Sequence, residues 1–210
     1  MILKLDETNL LEAAGWLASQ DEALAFVLEK YGPPPLWSRE PGFSTFVHII
    51  LEQQVSLASA NAAFLKLKTV LGTVRPDNFL QLTDEELRNL GFSRQKMHYC
   101  RTLAHALSDG HFDFEKLPLL SDDEARQEMK RLKGVGDWTA DIYLSECLMR
   151  PDILPKGDIA MQEAFKVLKK LPSRPLHEDF ERATEHWRPW RSVGTRMLWH
   201  YYLEVRKRDA

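Results

Sequence analysis

Leu132-Lys133-Gly134-Val135-Gly136-Asp137-Trp138-Thr139-Ala140 is the stretch on which the reading of this 210-residue chain turns. One helix ends near Leu132, and two glycines separated by Val135 make a tight hairpin over about 130–138. Asp137 is placed to cap the helix that follows. Gly134 and Gly136 both permit positive φ and leave their backbone N–H groups uncovered by side chains. Beside a helix N-terminus, such amides form an anion site suited to one backbone phosphate, held without reading base sequence. Taken alone, a G-x-G turn between helices more often only reverses the chain than binds a ligand.

Outward from the hairpin, the punctuation is helical in both directions. Thr8 is placed to cap a first helix, and Asp21 opens a second that stops at Gly32, before Pro33-Pro34-Pro35. Phe43 to Gln54 (FSTFVHIILEQQ) is apolar on most sides, which predicts a buried helix. Ser56 caps LASANAAFLKLKTVL, closed by Gly72. Thr83-x-x-Glu86 and Ser121-x-x-Glu124 are capping boxes, and between them Ser93 opens a helix ended by Gly110. Further helices fit 138–149, 159–170, 178–187 and 190–207. Period-two alternation between turn signals is missing, so an all-α chain is expected. Sequence does not locate a domain boundary, although Pro33–Pro35 is the best linker candidate.

Composition narrows the function classes. Hydrophobic residues make up 44% and charged residues 28%, an ordinary globular balance that excludes a disordered tail. Cys100 and Cys147 are the two cysteines, too few for a four-thiolate iron–sulfur cluster or zinc site, and they suit a reducing compartment. No segment reads as a signal peptide or approaches the roughly 20 apolar residues of a membrane span, so an intracellular protein without membrane attachment is expected. The net charge of −3 gives no global support to nucleic-acid binding. Locally, Arg182, Arg188, Arg191, Arg196, Arg206, Lys207 and Arg208 outnumber Glu185 and Glu204. That stretch could face a phosphate backbone, or form a solvated helix face with a basic end.

Lys156-Gly157-Asp158-Ile159-Ala160 places an aspartate at the start of an amphipathic helix, twenty positions after Trp138. Asp158 is a natural N-cap. A rigidly held carboxylate there also points charge out of the helix, as a cation stabiliser or general base requires.

With Ile50-Leu51-Glu52-Gln53-Gln54-Val55-Ser56, Gly91-Phe92-Ser93-x-x-Lys96 and Trp187-Arg188-Pro189-Trp190-Arg191-Ser192, these motifs resemble the helix–hairpin–helix DNA base-excision glycosylases, in order over roughly 40–205. Within that superfamily the chain is most similar to the 3-methyladenine DNA glycosylase II type. The resemblance implies a single unit over 1–210, two-lobed with a cleft between the lobes and without a separate N-terminal sheet domain. It implies a monomer that acts on double-stranded DNA containing a damaged base, excising alkylated purines by hydrolysis of the N-glycosidic bond.

It also implies roles. Asp158 falls on the family's catalytic aspartate, and Trp138 and Trp199 on aromatic pocket positions, where an indole face favours a cationic base by roughly 0.5–2 kcal/mol. Core packing is the alternative for either tryptophan. Where a relative has a pocket tyrosine this chain has Ile142, with Tyr143 its neighbour. Gln54 matches the residue that fills the gap left by a flipped nucleotide, and the Gly134 and Gly136 amides would take a phosphate. The backbone carbonyls of Lys130, Leu132 and Val135 match a monovalent-cation site, and no other cofactor is implied. Bifunctional members carry a lysine where this chain has Trp138, so a Schiff base from that position is excluded and no strand cleavage is expected. The alternatives are a glycosylase for a deaminated or oxidised base, and a DNA-binding module without catalysis. Asp158 argues against the module.

Overall fold

The computed structural model describes residues 3–208, with side chains to Val205. Among the described residues every regular element is helical: α1 (Glu7–Gln20), α2 (Glu22–Tyr31), α3 (Phe43–Glu52), α4 (Leu57–Leu71), α5 (Pro76–Gln81), α6 (Asp84–Asn89), α7 (Arg94–Ser108), α8 (Asp122–Lys130), α9 (Asp137–Glu146), α10 (Ile159–Leu168), α11 (His177–Ala183) and α12 (Arg191–Arg208), with 3-10 turns at Phe114–Leu119 and Glu185–Trp187. No helix among these residues is long and apolar enough to cross a membrane.

Most helix starts follow from one capping side chain. Asp21, Ser56, Thr83, Ser93, Ser121 and Asp158 each accept a backbone N–H from the first turn of the helix they open. Two expected caps move. Asp6, not Thr8, opens α1, because its carboxylate and the Asn9 amide close a reciprocal box. Gly136, not Asp137, precedes α9; Asp137 is the first helical residue, and its Oδ1 instead meets Lys130 Nζ at 2.5 Å. The helix expected over 178–187 breaks at Thr184. Its hydroxyl donates to the Phe180 carbonyl at 2.9 Å, and a 3-10 turn follows.

The chain divides into two compact units: Arg39–Cys147, inserted between Met1–Ser38 and Leu148–Ala210. The first crossing comes just after Pro33–Pro35. The second falls at Cys147–Leu148, inside what the sequence suggests is one helix over 138–149; α9 stops at Glu146, and Met149 takes φ 55°.

In the inserted unit, α3 is the hub. It buries Phe46, Val47, Ile49, Ile50 and Leu51 and packs on α4, α7 and α9. Each such side chain contributes about 1.5–3 kcal/mol by leaving water. Tyr143 of α9 is fully buried between Phe46 and Phe114, and its phenol oxygen accepts the Gly42 amide at 3.0 Å. The buried Glu52 is matched by Arg39, whose two terminal nitrogens fork its carboxylate at 3.0 and 3.1 Å while Nε reaches Glu146 at 2.5 Å. Burial alone would lower the Arg39 pKa; Glu146 and Glu52 outweigh it and raise it.

In the other unit α1, α2, α10 and α12 pack together. Trp187 lies at the centre against Phe165 and Phe180. Gly194 on α12 is required there, because a Cβ would stand 2.4 Å from the indole. Asp21 ties three segments together. Its carboxylate accepts from Lys169 Nζ at 2.7 Å, from the Trp187 indole at 3.1 Å and from the Ala23 amide at 2.9 Å. Burial would raise the Asp21 pKa, but the Lys169 and Trp187 hydrogen bonds prevail and hold it below 3.8.

A carboxyl depressed on folding stabilises above its unfolded pKa and loses that contribution as pH falls through the folded value. Asp21→Asn should therefore cost about 2–3 kcal/mol at pH 7, under the full buried-pair range because Lys169 reaches solvent. In urea denaturation the gap between wild type and variant should shrink as pH drops below 3.8. A gap independent of pH would remove the charge from the account.

Candidate active site

The hairpin joins α8 to α9 through six residues, 131–136. Leu132 and Val135 are buried and anchor it, and the Val135 amide closes the turn on the Leu132 carbonyl at 3.1 Å. Gly134 has φ 89°, and a Cβ there would stand 2.1 Å from the ring of Tyr99, so glycine is required twice over. Gly136 differs from expectation. Its φ is −98°, so positive φ is not what it supplies. A Cβ on Gly136 would meet no protein atom within 4 Å, and no side chain caps α9, so the residue keeps the helix start uncovered on its outer side. The Arg126 guanidinium links the two helices, with Nε 2.8 Å from the buried Asp141 of α9. Burial would lower its pKa; Asp141 and then Asp123 raise it. Of the three carbonyls proposed for a cation, that of Leu132 already accepts the Val135 amide, which leaves it one lone pair.

Trp138 stands half-buried in the first turn of α9. Ile142 and Tyr143 are both buried.

The two adjacent glutamines at the end of α3 divide. Gln54 is exposed and takes φ 57°, left-handed backbone that a side-chain-bearing residue rarely adopts. Gln53 turns inward, and its Nε2 donates to the Gly134 carbonyl at 3.0 Å and to Thr139 Oγ1 at 2.9 Å. Lys96 Nζ donates to the Leu51 carbonyl at 2.7 Å. All of these residues belong to the inserted unit.

Asp158 and Trp199 belong to the other unit, and the structure brings them together. Asp158 caps α10 and is buried. Its Oδ1 accepts the Met161 amide at 2.8 Å and the Trp199 indole N–H at 3.1 Å. Trp199 stands edge-on to Trp37, with ring centroids 6.4 Å apart, and Trp37 also takes left-handed backbone, at φ 43°. Sequence reading missed Trp37; a lone aromatic just after a proline run was its one available signal. It likewise gave no role to Gln53, or to Lys96 beyond its motif.

Among the described C-terminal basic residues, Arg191 and Arg196 are buried. Arg191 forks Asp152 at 2.8 and 3.1 Å, Arg188 reaches the same carboxylate at 2.5 Å, and Ser192 bonds the backbone at Arg150 and Ile153. Arg196 is fully buried and donates to the Leu36 carbonyl at 2.8 Å. Arg191 and Arg196 pin loops, so neither a phosphate-facing patch nor a solvated face describes these two. Arg182 and Arg188 are the exposed cations among the described ones, each paired three residues back, with Asp179 and Glu185. The side chains of Arg206, Lys207 and Arg208 lie outside the described residues.

Comparison with known proteins gives the site a family. The chain is 25% identical over 199 residues to DNA-3-methyladenine glycosylase 1 of Schizosaccharomyces pombe, covering 91% of this chain and 87% of that one. It is 24% identical over 185 residues to a putative DNA-3-methyladenine glycosylase of Bacillus subtilis, a match spanning 84% of this chain but only 64% of that protein's length. The fold superposes on the S. pombe 3-methyladenine DNA glycosylase, solved in complex with abasic DNA, with a TM-score of 0.82 over 90% of this chain and 95% of that one, at 25% identity. Residues 47–189, more than half of the chain, match the HhH-GPD superfamily, and the protein belongs to this superfamily of base excision DNA repair proteins.

Proposed function

We propose that the protein is a monofunctional DNA glycosylase that removes alkylated purines of the 3-methyladenine and 7-methylguanine class. The observation that carries this reading is the Asp158 carboxylate, buried at a helix start and fixed through Oδ1 by the Met161 amide and the Trp199 indole. A carboxylate anchored this way cannot swing toward solvent, so its charge is preorganised for a cation formed beside it. As a purine departs, the deoxyribose acquires oxocarbenium character, and Asp158 lowers the energy of that cation and orients the attacking water. An N3- or N7-alkylated purine is already positively charged and leaves without strong help from a general acid. The relatives named for 3-methyladenine support the substrate class. The abasic DNA in the S. pombe complex is what such a reaction leaves behind.

The remaining roles follow from chemistry. Trp138 and Trp199 offer indole faces to a cationic base. Gln54 enters the gap left by the flipped nucleotide, and the amides at Gly134 and Gly136 hold a phosphate of the same duplex. The carbonyls of Lys130, Leu132 and Val135 would hold a monovalent cation, which supplies positive charge next to that phosphate. The protein acts as a monomer inside the cell, where its DNA substrate is. Trp138 has no amine with which to attack the sugar, so hydrolysis leaves an intact abasic strand.

Three outcomes are expected. Asp158→Asn keeps a side chain that can cap α10 and removes the charge, so the melting temperature should stay close to wild type. Release of 7-methylguanine should fall by at least about 100-fold, the scale of losing one electrostatic stabiliser of the transition state. Near wild-type release would leave Asp158 only a cap. Borohydride should trap no covalent complex on a methylated duplex, and breaks should appear only after hot alkali; a trapped adduct would overturn the monofunctional assignment.

The third outcome separates the two tryptophans. Trp138→Leu should lower release of cationic 3-methyladenine relative to neutral hypoxanthine by about two- to thirtyfold. Trp199→Phe keeps an aromatic face but removes the N–H on Asp158, so both substrates should slow alike. Equal losses in Trp138→Leu would mean that Trp138 supplies shape alone.

A further inference from the structure

Resting on the reading that Gln54 enters duplex DNA, we propose that Gln53 and Lys96 are positioning residues that lock Gln54 in register with the hairpin, so that phosphate contact and wedge insertion occur as one rigid-body event. Three elements meet at this point, all inside the inserted unit. Gln53 directs its side-chain amide at the hairpin, donating to the Gly134 carbonyl at 3.0 Å and to Thr139 Oγ1 in the first turn of α9 at 2.9 Å. A primary amide has two N–H donors, and both are used on the hairpin and the helix it leads into. Lys96 donates to the Leu51 carbonyl at 2.7 Å, at the C-terminal end of α3, where helix carbonyls lack intrahelical partners and attract a cation.

Lys96 and Tyr99 are three residues apart on α7 and share one face of it. The Tyr99 ring is the surface on which Gly134 rests. One face of α7 thus braces both the helix that ends in the wedge and the hairpin, and Gln53 closes the triangle between them. The next residue, Gln54, is held at φ 57° with its side chain exposed. Left-handed backbone at a residue with a side chain persists where the surroundings enforce it, and here the enforcing contacts lead to the hairpin. An ordinary polar loop would need neither amide donor aimed at the hairpin.

The test is a double-mutant cycle on the full chain, using a duplex with one 7-methylguanine and 2-aminopurine at the neighbouring position. Gln54→Ala and Gln53→Leu should each lower single-turnover release by about 10- to 100-fold, the scale of misplacing a group by an ångström. The double variant should be no slower than the slower single, because both remove the same event. Affinity for undamaged duplex at fixed salt should stay within about twofold, since the hairpin amides persist. Lys96→Met should behave like Gln53→Leu, and Lys96→Arg should restore release by keeping a donor on the Leu51 carbonyl.

Additive losses in the cycle, or a parallel loss of undamaged-duplex affinity, would make Gln53 a structural prop of the hairpin and overturn the proposal. If Gln53→Leu fails to fold, the Lys96→Met and Lys96→Arg pair, each combined with Gln54→Ala, decides the same question. If the wild-type chain releases no methylated base, the substrate reading fails separately. The cycle is then read from 2-aminopurine fluorescence on a duplex with a stable abasic site, which needs insertion and no chemistry.

Discussion

Gly134 lies against the ring of Tyr99 with no room for a side chain, and the hairpin's place in the structure depends on that contact. A methyl group at Gly134 would come within 2.1 Å of the ring, and the φ of 89° excludes ordinary residues independently. The close approach seats the turn on α7, while Leu132 and Val135 bury their side chains on either side. With the hairpin fixed from beneath, the start of α9 stays uncovered at Gly136, and the Gly134 carbonyl is presented to Gln53. A looser turn would leave the amides pointing in many directions, and an anion site built from backbone dipoles works only if they converge.

The other unit solves a different problem, that of holding a carboxylate still. α12 does this at two places along its length. At its start, Arg191 and Ser192 clamp residues 150–153, the loop that leads toward Asp158. Two turns later, Trp199 donates its indole N–H to the Asp158 oxygen that already accepts the Met161 amide. One stiff helix thus sets both the path of the incoming chain and the orientation of the side chain it delivers. Rigid elements hold functional groups more accurately than loops do, because packing removes their rotamer freedom.

Charge in this protein is largely used internally. With 31 acidic and 28 basic residues, the summed field does not attract a polyanion. The arginines that gather near the C-terminus, apart from those outside the described residues and the exposed Arg182, are engaged with Asp152 or with backbone carbonyls. Arg39 serves the inserted unit likewise, forking Glu52 and reaching Glu146. The proposed contact with phosphate through hairpin amides would suit such a chain, since backbone N–H groups add no net charge and require no unpaired basic side chain.

Sequence by itself determined the elements whose physics is local. Ser56, Ser93, Ser121 and Asp158 start their helices because a side-chain oxygen reaches an amide two or three residues on. FSTFVHIILE is buried because its apolar positions leave few polar sides. The hairpin and the capping carboxylate were legible for the same reason, and so was the all-helical class. Tertiary structure alone decided the rest. Gly136 uses negative φ, and Asp137 gives up the cap for Lys130, seven residues away. Trp199 meets Asp158 across 41 positions, Trp37 comes to stand beside it, and Gln53 finds a hairpin 81 residues further on. The second boundary, at Cys147–Leu148, carries no glycine or proline to announce it. A cap is chosen by atoms within one turn, whereas a partner for a carboxylate or an amide is chosen by which distant segments the core brings within 3 Å.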